Sequence, residues 1–341
     1  MGRAERRTRR SPRRLVEKGR ITEIAEEIPR PDDAVVIDLA GHTVTPGFMD
    51  CHTHVTVSPA LFPVLTRSAA ATALATIPVL RTMLLNGFTT IRDLMTADTE
   101  YNTVDLRDAV AAGLIEGPRM LVAPHLISAR GAHGDFSGVL AGQCQGRPRL
   151  MELAAADGCD EIRSRVRTEI RAGAGWIKFG ATGGFSSPSD DPAQTTYSQG
   201  EMDALVAAAR DLGRHATPHC YGDEGVRRAV HAGVRGIEHG NLATAETLQI
   251  MIDKGVYLVP IQYTTLDDAR TGTTTPSGPT SLPSSAASTR SIRRPCWTAR
   301  TMSRTPTSRS PSVPTPACSR TRRTGRSSPP WSPPASPRRA P

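Results

Sequence analysis

Short apolar segments alternate with stretches of helical periodicity between residue 47 and about residue 265. The apolar segments typical of buried parallel strands cover residues 48–50, 88–93, 119–123, 176–179, 216–219, 236–239 and 256–260. One helical pattern opens at a capping box formed by Ser198 and Glu201, and two others cover residues 224–232 and 245–254; each ends at a glycine. The repeat of strand, helix and glycine stop predicts an α/β fold with a parallel sheet and right-handed crossovers.

The two ends of the chain depart from this pattern. Residues 15–46 contain short β-prone segments, among them 21–24 and 35–39, and predict small hairpins. Residues 266–341 consist mainly of Ser, Thr, Pro and Arg, with too few large apolar side chains to offset the entropy of ordering, which predicts a disordered tail. Thirteen arginines and no Asp, Glu or Lys lie in residues 269–341, so the formal net charge of +9 becomes −4 for residues 1–268.

The tail has two interpretations, a genuine basic segment or the product of a shifted reading frame in a GC-rich gene. The abrupt loss of the strand–helix pattern favours the second. The basic segment 1–14 is equally rich in arginine, is expected to be disordered and is open to the same explanation. That segment is not followed by an apolar region, so it does not indicate a secretory signal. The sequence contains no apolar stretch of about 18 residues, so no transmembrane helix is expected. Six scattered cysteines without a C-x-x-C pair favour a reducing, cytoplasmic compartment.

Histidines stand at the ends of several of the predicted strands. His52 and His54 are two residues apart on an extended segment and therefore point to the same face. His219 and His239 each end a later strand, about one strand–helix unit apart. A single histidine at a strand end is usually not a ligand, but four at this spacing predict a site for divalent metal ions such as zinc at the carboxyl ends of the strands.

Lys178 lies inside the apolar strand segment 176–179 and is followed by Gly183 and Gly184. Its side chain either reaches the surface along its aliphatic stem, or its amine is buried, neutral and able to react with CO2. The resulting carbamate has two oxygens and would bridge two metal ions. Such a pair of ions lowers the pKa of a shared water molecule and polarises a carbonyl oxygen, which suits hydrolysis of an amide or related C–N bond.

The segments VIDL, TVTPGFMDCHTHV, GFTTIRDL, GPRMLVAP, WIKFGATGG, HATPHC and GIEHGN together resemble the metal-dependent amidohydrolase superfamily, especially its imidazolonepropionase-related and prolidase-like members. The resemblance implies a (β/α)8 TIM-type barrel over residues 47–265, incomplete at its C-terminal end, beside a β-sandwich portion over residues 15–46. It implies that His52 and His54 bind one metal ion, that His219 and His239 bind the second, and that a carbamate on Lys178 bridges them. Lys178 and His239 are then catalytic, and His133 and Tyr221 are the candidate substrate contacts. For His133, a surface loop position is an equal alternative, and Arg92 and Asp93 are expected to form a structural ion pair.

One feature of the superfamily has no counterpart, the aspartate at the end of the eighth strand. No acidic residue follows Asp268, and Asp267 and Asp268 come directly after the seventh strand, so we expect impaired activity. The expected substrate is a dipeptide, an N-acyl amino acid or another small molecule, with no membrane partner. The alternatives are a non-catalytic protein whose arginine-rich tail binds nucleic acid, which is the less favoured reading, and a mononuclear deaminase that needs no bridging lysine. Homo-oligomerisation is left open.

Overall fold

The computed structural model describes residues 12–39, 41–57, 67–96, 99–135, 155–185 and 190–261. The predicted tail and most of the basic N-terminal segment lie outside these residues. Two antiparallel strands, β1 (Arg13–Glu17) and β2 (Arg20–Ala25), form the first hairpin. Lys18 and Gly19 both adopt positive φ angles, 49° and 74°, as a tight turn between twisted strands requires. Strand β1 therefore begins inside the segment 1–14 that was expected to be disordered.

The predicted strand over residues 35–39 is wrong. These residues form no strand in the described part of the chain, and Val35 and Ile37 are 88% and 75% exposed. A β-prone segment becomes a strand only where a neighbouring strand and an apolar layer accept it. No such partner for this segment is present among the described residues.

Eight further strands carry the main architecture. The seven segments predicted to be buried parallel strands are confirmed, with boundaries that agree within one residue except at the end of the first, and one two-residue strand was not predicted. The eight strands are β3 (Phe48–Thr53), β4 (Phe88–Asp93), β5 (Arg119–Val122), β6 (Leu126–Ile127), β7 (Trp176–Gly180), β8 (His215–Cys220), β9 (Gly236–His239) and β10 (Tyr257–Val259). Strands β3, β4 and β5 form one parallel sheet, and β6 to β10 form a second in which neighbours in sequence are neighbours in space. The Gly175 N–H donates to the Val122 carbonyl at 2.9 Å, which joins the two sheets edge to edge.

Helices occupy the crossovers between these strands. Those described are α1 (Ala69–Leu85), α2 (Asn102–Ala111), α3 (Gly158–Arg171), α4 (Gln199–Asp211), α5 (Asp223–Ala232) and α6 (Ala245–Asp253). The predicted capping box is present, with Ser198 and Glu201 each accepting from the other's backbone N–H. Gly233 ends α5 at a φ of 90°, a conformation that glycine adopts without strain.

The parallel strands curl so that their carboxyl ends converge. With β5 and β6 counted as one interrupted strand, His52 on β3 and Glu238 on β9 are five strand positions apart, a separation of about 24 Å in a flat sheet. Their side chains nevertheless meet, with His52 Nδ1 2.8 Å from Glu238 Oε2. The arrangement is that of an α/β fold of the TIM-barrel type, and closure by an eighth strand lies outside the described residues.

Two apolar clusters hold the helices against the strands. The larger one lies around β7, β8 and β9 and includes Ile177, Phe179, Leu205, Val226 and Ile237. The smaller one packs α1 and α2 on β4 and β5. Among the described residues, no helix combines the length and apolarity that crossing a membrane would require.

Candidate metal centre

The first histidine pair lies at the carboxyl end of β3. The Nε2 atoms of His52 and His54 face each other at 3.2 Å. The chain around them is held by Asp93 at the end of β4, whose carboxylate accepts the Val55 N–H at 2.7 Å. The first predicted pair is therefore together, on a backbone that the neighbouring strand fixes.

The second pair lies at the ends of β8 and β9. His219 Nδ1 is 3.0 Å from His239 Nε2, and His219 Nε2 lies 3.3 Å from the Gly183 carbonyl, which can only accept. The His219 proton therefore sits on Nε2 and leaves a lone pair on Nδ1. His239 adopts a φ of 72°, a strained conformation for a residue that is not glycine, and strain of this kind is concentrated at functional sites. The His52 and His239 rings are 5.1 Å apart, so the two pairs adjoin.

Lys178 on β7 is buried among the same residues. Its side chain is 2% exposed, and Nζ has no hydrogen-bond partner in the described part of the chain. Burial lowers its pKa from 10.5 to about 8. Burial also lowers the pKa of all four histidines, that of His54 to about 4, and the Lys178 charge adds to this effect at each of them. The imidazoles are thus neutral, the form that binds metal ions.

The nitrogen atoms within each histidine pair have the spacing of two ligands of one metal ion. Two histidine nitrogens bound at about 2.05 Å to one tetrahedral zinc ion are about 3.3 Å apart. The separations of 3.2 Å and 3.0 Å within the two pairs are close to this value. Within the described ranges, no group of three or more His, Cys, Asp or Glu side chains is arranged around one ion. Each pair therefore needs further ligands to hold an ion, and the charge of the buried, unpartnered Lys178 amine acts on all four histidines.

Glu238 is a residue of this centre that sequence reasoning missed. It is completely buried and accepts from Arg92 Nη2 at 2.6 Å, from Thr217 Oγ1 at 2.6 Å and from His52 Nδ1 at 2.8 Å. The expected ion pair of Arg92 with Asp93 is wrong, because Arg92 pairs with Glu238 across the site. The sequence does contain a signal for it, because a charged residue inside a short apolar strand needs a buried partner, and Glu238 is such a residue.

The two candidate substrate residues lie beside the second histidine pair. The His133 ring stacks on the His219 ring at 4.0 Å and 15°, and the Tyr221 ring stacks on the His239 ring at 4.3 Å and 18°. Gly184 lies directly against His133, so that a Cβ atom there would overlap the imidazole. The glycine after β7 is thus required by the position of His133.

The comparisons with known proteins agree with this architecture. A family model described as "Amidohydrolase family" matches residues 43–301. Ochratoxinase of Aspergillus niger is 32% identical over 186 residues, which cover 52% of this chain and 38% of the ochratoxinase chain. The match therefore spans well under half of that curated relative.

Two crystal structures extend the match over more of the chain. A prolidase complexed with N-methylphosphonate-L-proline is 35% identical, with a TM-score of 0.70 over 82% of this chain and 67% of the prolidase. A Xaa-Pro dipeptidase with methionine bound in its active site is 30% identical, with a TM-score of 0.70 over 80% of this chain and 67% of the dipeptidase. These matches confirm the prolidase-like resemblance, and the chain belongs to the amidohydrolase family of hydrolases that act on C–N bonds.

Proposed function

We propose that the protein hydrolyses the amide bond of dipeptides or N-acyl amino acids by means of two divalent cations, with zinc as the first choice. The observation that carries this proposal is that four neutral imidazoles, in two close pairs, all feel the charge of one buried lysine amine that has no hydrogen-bond partner among the described residues. A purely structural lysine would be paired or would reach solvent.

In this proposal His52 and His54 bind one cation, and His219 and His239 bind the other. Lys178 would supply oxygen ligands to both cations as a carbamate, formed when the neutral amine adds to CO2 and releases one proton. The lowered pKa of Lys178 supports this step because it increases the fraction of neutral amine. When bound, the two cations supply Lewis acidity that polarises the substrate carbonyl and lowers the pKa of a water molecule.

The proposed substrate class rests on what lies beside the second histidine pair and on the named relatives. His133 is buried on one face by His219 yet keeps 16% of its side chain exposed, so it lies between the centre and solvent. Tyr221 places a phenol on the adjacent side, with Phe185 against its edge at 4.6 Å. We propose that these two side chains contact the substrate around the scissile amide. Prolidase and Xaa-Pro dipeptidase are named for dipeptide substrates, which agrees with this class.

Proton transfer is the step that the aspartate expected at the end of an eighth strand would serve. Glu238 is adjacent to the centre, but its two oxygens already hold three donors. Residues 269–341 contain no Asp or Glu. We therefore propose slow turnover for this chain, as a hydrolase limited by return of the proton to the leaving amine.

The test is hydrolysis of a dipeptide and N-acyl amino acid panel by the purified chain with zinc and bicarbonate. We expect slow release of the free amino acid, no release after chelation, and none from a Lys178→Met variant. Hydrolysis that survives chelation or the Lys178 substitution would contradict the proposal. Release of ammonia with a single bound metal ion would instead identify the mononuclear deaminase. A cytoplasmic location, homo-oligomerisation and the nucleic-acid alternative stay predictions.

A further inference from the structure

Glu238 is bound on both of its oxygens by groups that leave it no freedom to rotate. Arg92 donates to Oε1 at 2.6 Å, and its Nε also donates to the Cys51 carbonyl at 2.9 Å. The guanidinium lies over the Trp176 ring at 4.6 Å from its centroid. Thr217 donates to the same Oε1 at 2.6 Å. Oε2 is consequently the oxygen that faces His52, and the Glu238 side chain forms a buried ion pair with the Arg92 guanidinium.

The carboxylate oxygen Oε2 decides where the His52 proton lies. A neutral imidazole carries one proton on either Nδ1 or Nε2, and a carboxylate can only accept. Because His52 Nδ1 lies 2.8 Å from Oε2, that nitrogen must be the donor. Nε2 then carries the lone pair, and it is the nitrogen that faces His54 Nε2 at 3.2 Å.

We infer that Glu238 is a positioning residue that sets the tautomer of His52, and so makes His52 Nε2 the nitrogen available to a metal ion. The inference rests on the proposed function for its consequence in metal binding. The tautomer itself is a property of the metal-free protein and can be observed without a metal ion or a substrate.

A glutamine at position 238 should reverse the arrangement. Glutamine has the same shape, but one of its two ends is an NH2 group. The Arg92 guanidinium can only donate hydrogen bonds. The amide oxygen must therefore remain on the Arg92 side, and the NH2 group must face His52. His52 Nδ1 then has to accept, which moves its proton to Nε2. The nitrogen that faces His54 loses its lone pair, although no atom has been removed from the site.

The first test is the tautomeric state of His52 by nitrogen-15 NMR of the metal-free protein labelled at histidine. The His52 signals are assigned by their loss in a His52→Gln variant. We expect Nδ1 to be protonated in the unmodified protein and Nε2 to be protonated in Glu238→Gln. Protonation at Nε2 in the unmodified protein would overturn the inference, whatever the outcome for Glu238→Gln and even if that variant fails to fold.

The second test is zinc affinity, with Glu169→Gln as the matched control. Glu169 is also buried and lies 3.0 Å from a histidine nitrogen, His125 Nδ1, but it lies in the helix α3 and touches none of the candidate ligands. We expect Glu238→Gln to weaken binding at one of the two zinc sites by about 10–100-fold, and Glu169→Gln to leave both affinities unchanged. Equal loss in both variants would overturn the inference. Absence of zinc binding in the unmodified protein would instead contradict the proposed function, while the NMR result would still decide the tautomer.

Discussion

Replacing Lys178 with methionine should stabilise the metal-free protein while it abolishes metal-dependent hydrolysis. Methionine has a similar length and no charge, and it keeps the apolar contacts of the lysine stem. In the folded protein the lysine amine has no hydrogen-bond partner among the described residues, and burial lowers its pKa from 10.5 to about 8. Under the proposed function, the buried lysine is thus a source of instability when the bridging ligand is absent.

The size of the effect follows from the pKa. Each unit by which the pKa falls corresponds to about 1.4 kcal/mol of destabilisation of the charged amine. At neutral pH the buried charge therefore lowers the free energy of unfolding by about 3 kcal/mol. For a folded region of the 215 described residues, we expect the Lys178→Met variant to melt roughly 6–12 °C higher. The folded amine binds its proton less tightly than the unfolded one, so the cost is complete below about pH 8 and disappears above pH 10.5. The advantage of the variant should therefore shrink between these two values.

The assay is thermal unfolding of chelator-treated protein across that pH range. The control is Lys254→Met, which removes an exposed lysine at the end of α6 and should change the free energy of unfolding by less than about 0.5 kcal/mol. A Lys178→Met variant that is no more stable than the unmodified protein at pH 7 would refute the reasoning. It would show that the lysine charge is compensated in the folded state.

Three further outcomes follow from the same contacts. Arg92→Met removes the cationic partner of the buried Glu238 and should cost about 3–5 kcal/mol in urea unfolding. A loss below about 1 kcal/mol would show that this ion pair contributes little to the stability of the fold. Gly184→Ala should displace His133 and lower kcat/KM by roughly 10–100-fold at unchanged zinc content. The control Gly200→Ala has open space at its Cβ position and should leave kcat/KM unchanged. Unchanged kinetics for Gly184→Ala would exclude His133 as a substrate contact. Zinc at about 100 times its Kd should stabilise the protein by about 2.7 kcal/mol per site in thermal unfolding, and no shift would contradict metal binding to the folded state.

Local sequence signals predicted most of the elements that carry the site. The capping box at Ser198 and the glycine stop at Gly233 mark the ends of helices, and both depend on neighbouring residues alone. The strands that present His52, His219 and His239 are short apolar segments between such marks. Their convergence followed from the rule that parallel strands bring their carboxyl ends to one edge.

The contacts of Glu238 could not be read in the same way. Glu238 and His52 are 186 residues apart, and they meet only because the sheet curls through several strands. The strand expected over residues 35–39 failed for the converse reason, since its apolar side chains meet no partner in the described part of the chain. Local patterns predict which segments can become strands, and the curvature and pairing of the sheet decide which of them do.

The central claim is that five side chains hold two cations, and anomalous diffraction at the zinc edge from crystals grown with zinc and bicarbonate tests it most directly. The account predicts two peaks, one within bonding distance of His52 and His54 and one within bonding distance of His219 and His239, with density for a carboxylated Lys178 between them. A map without a peak at these histidines, or with zinc bound only elsewhere on the protein, would contradict it.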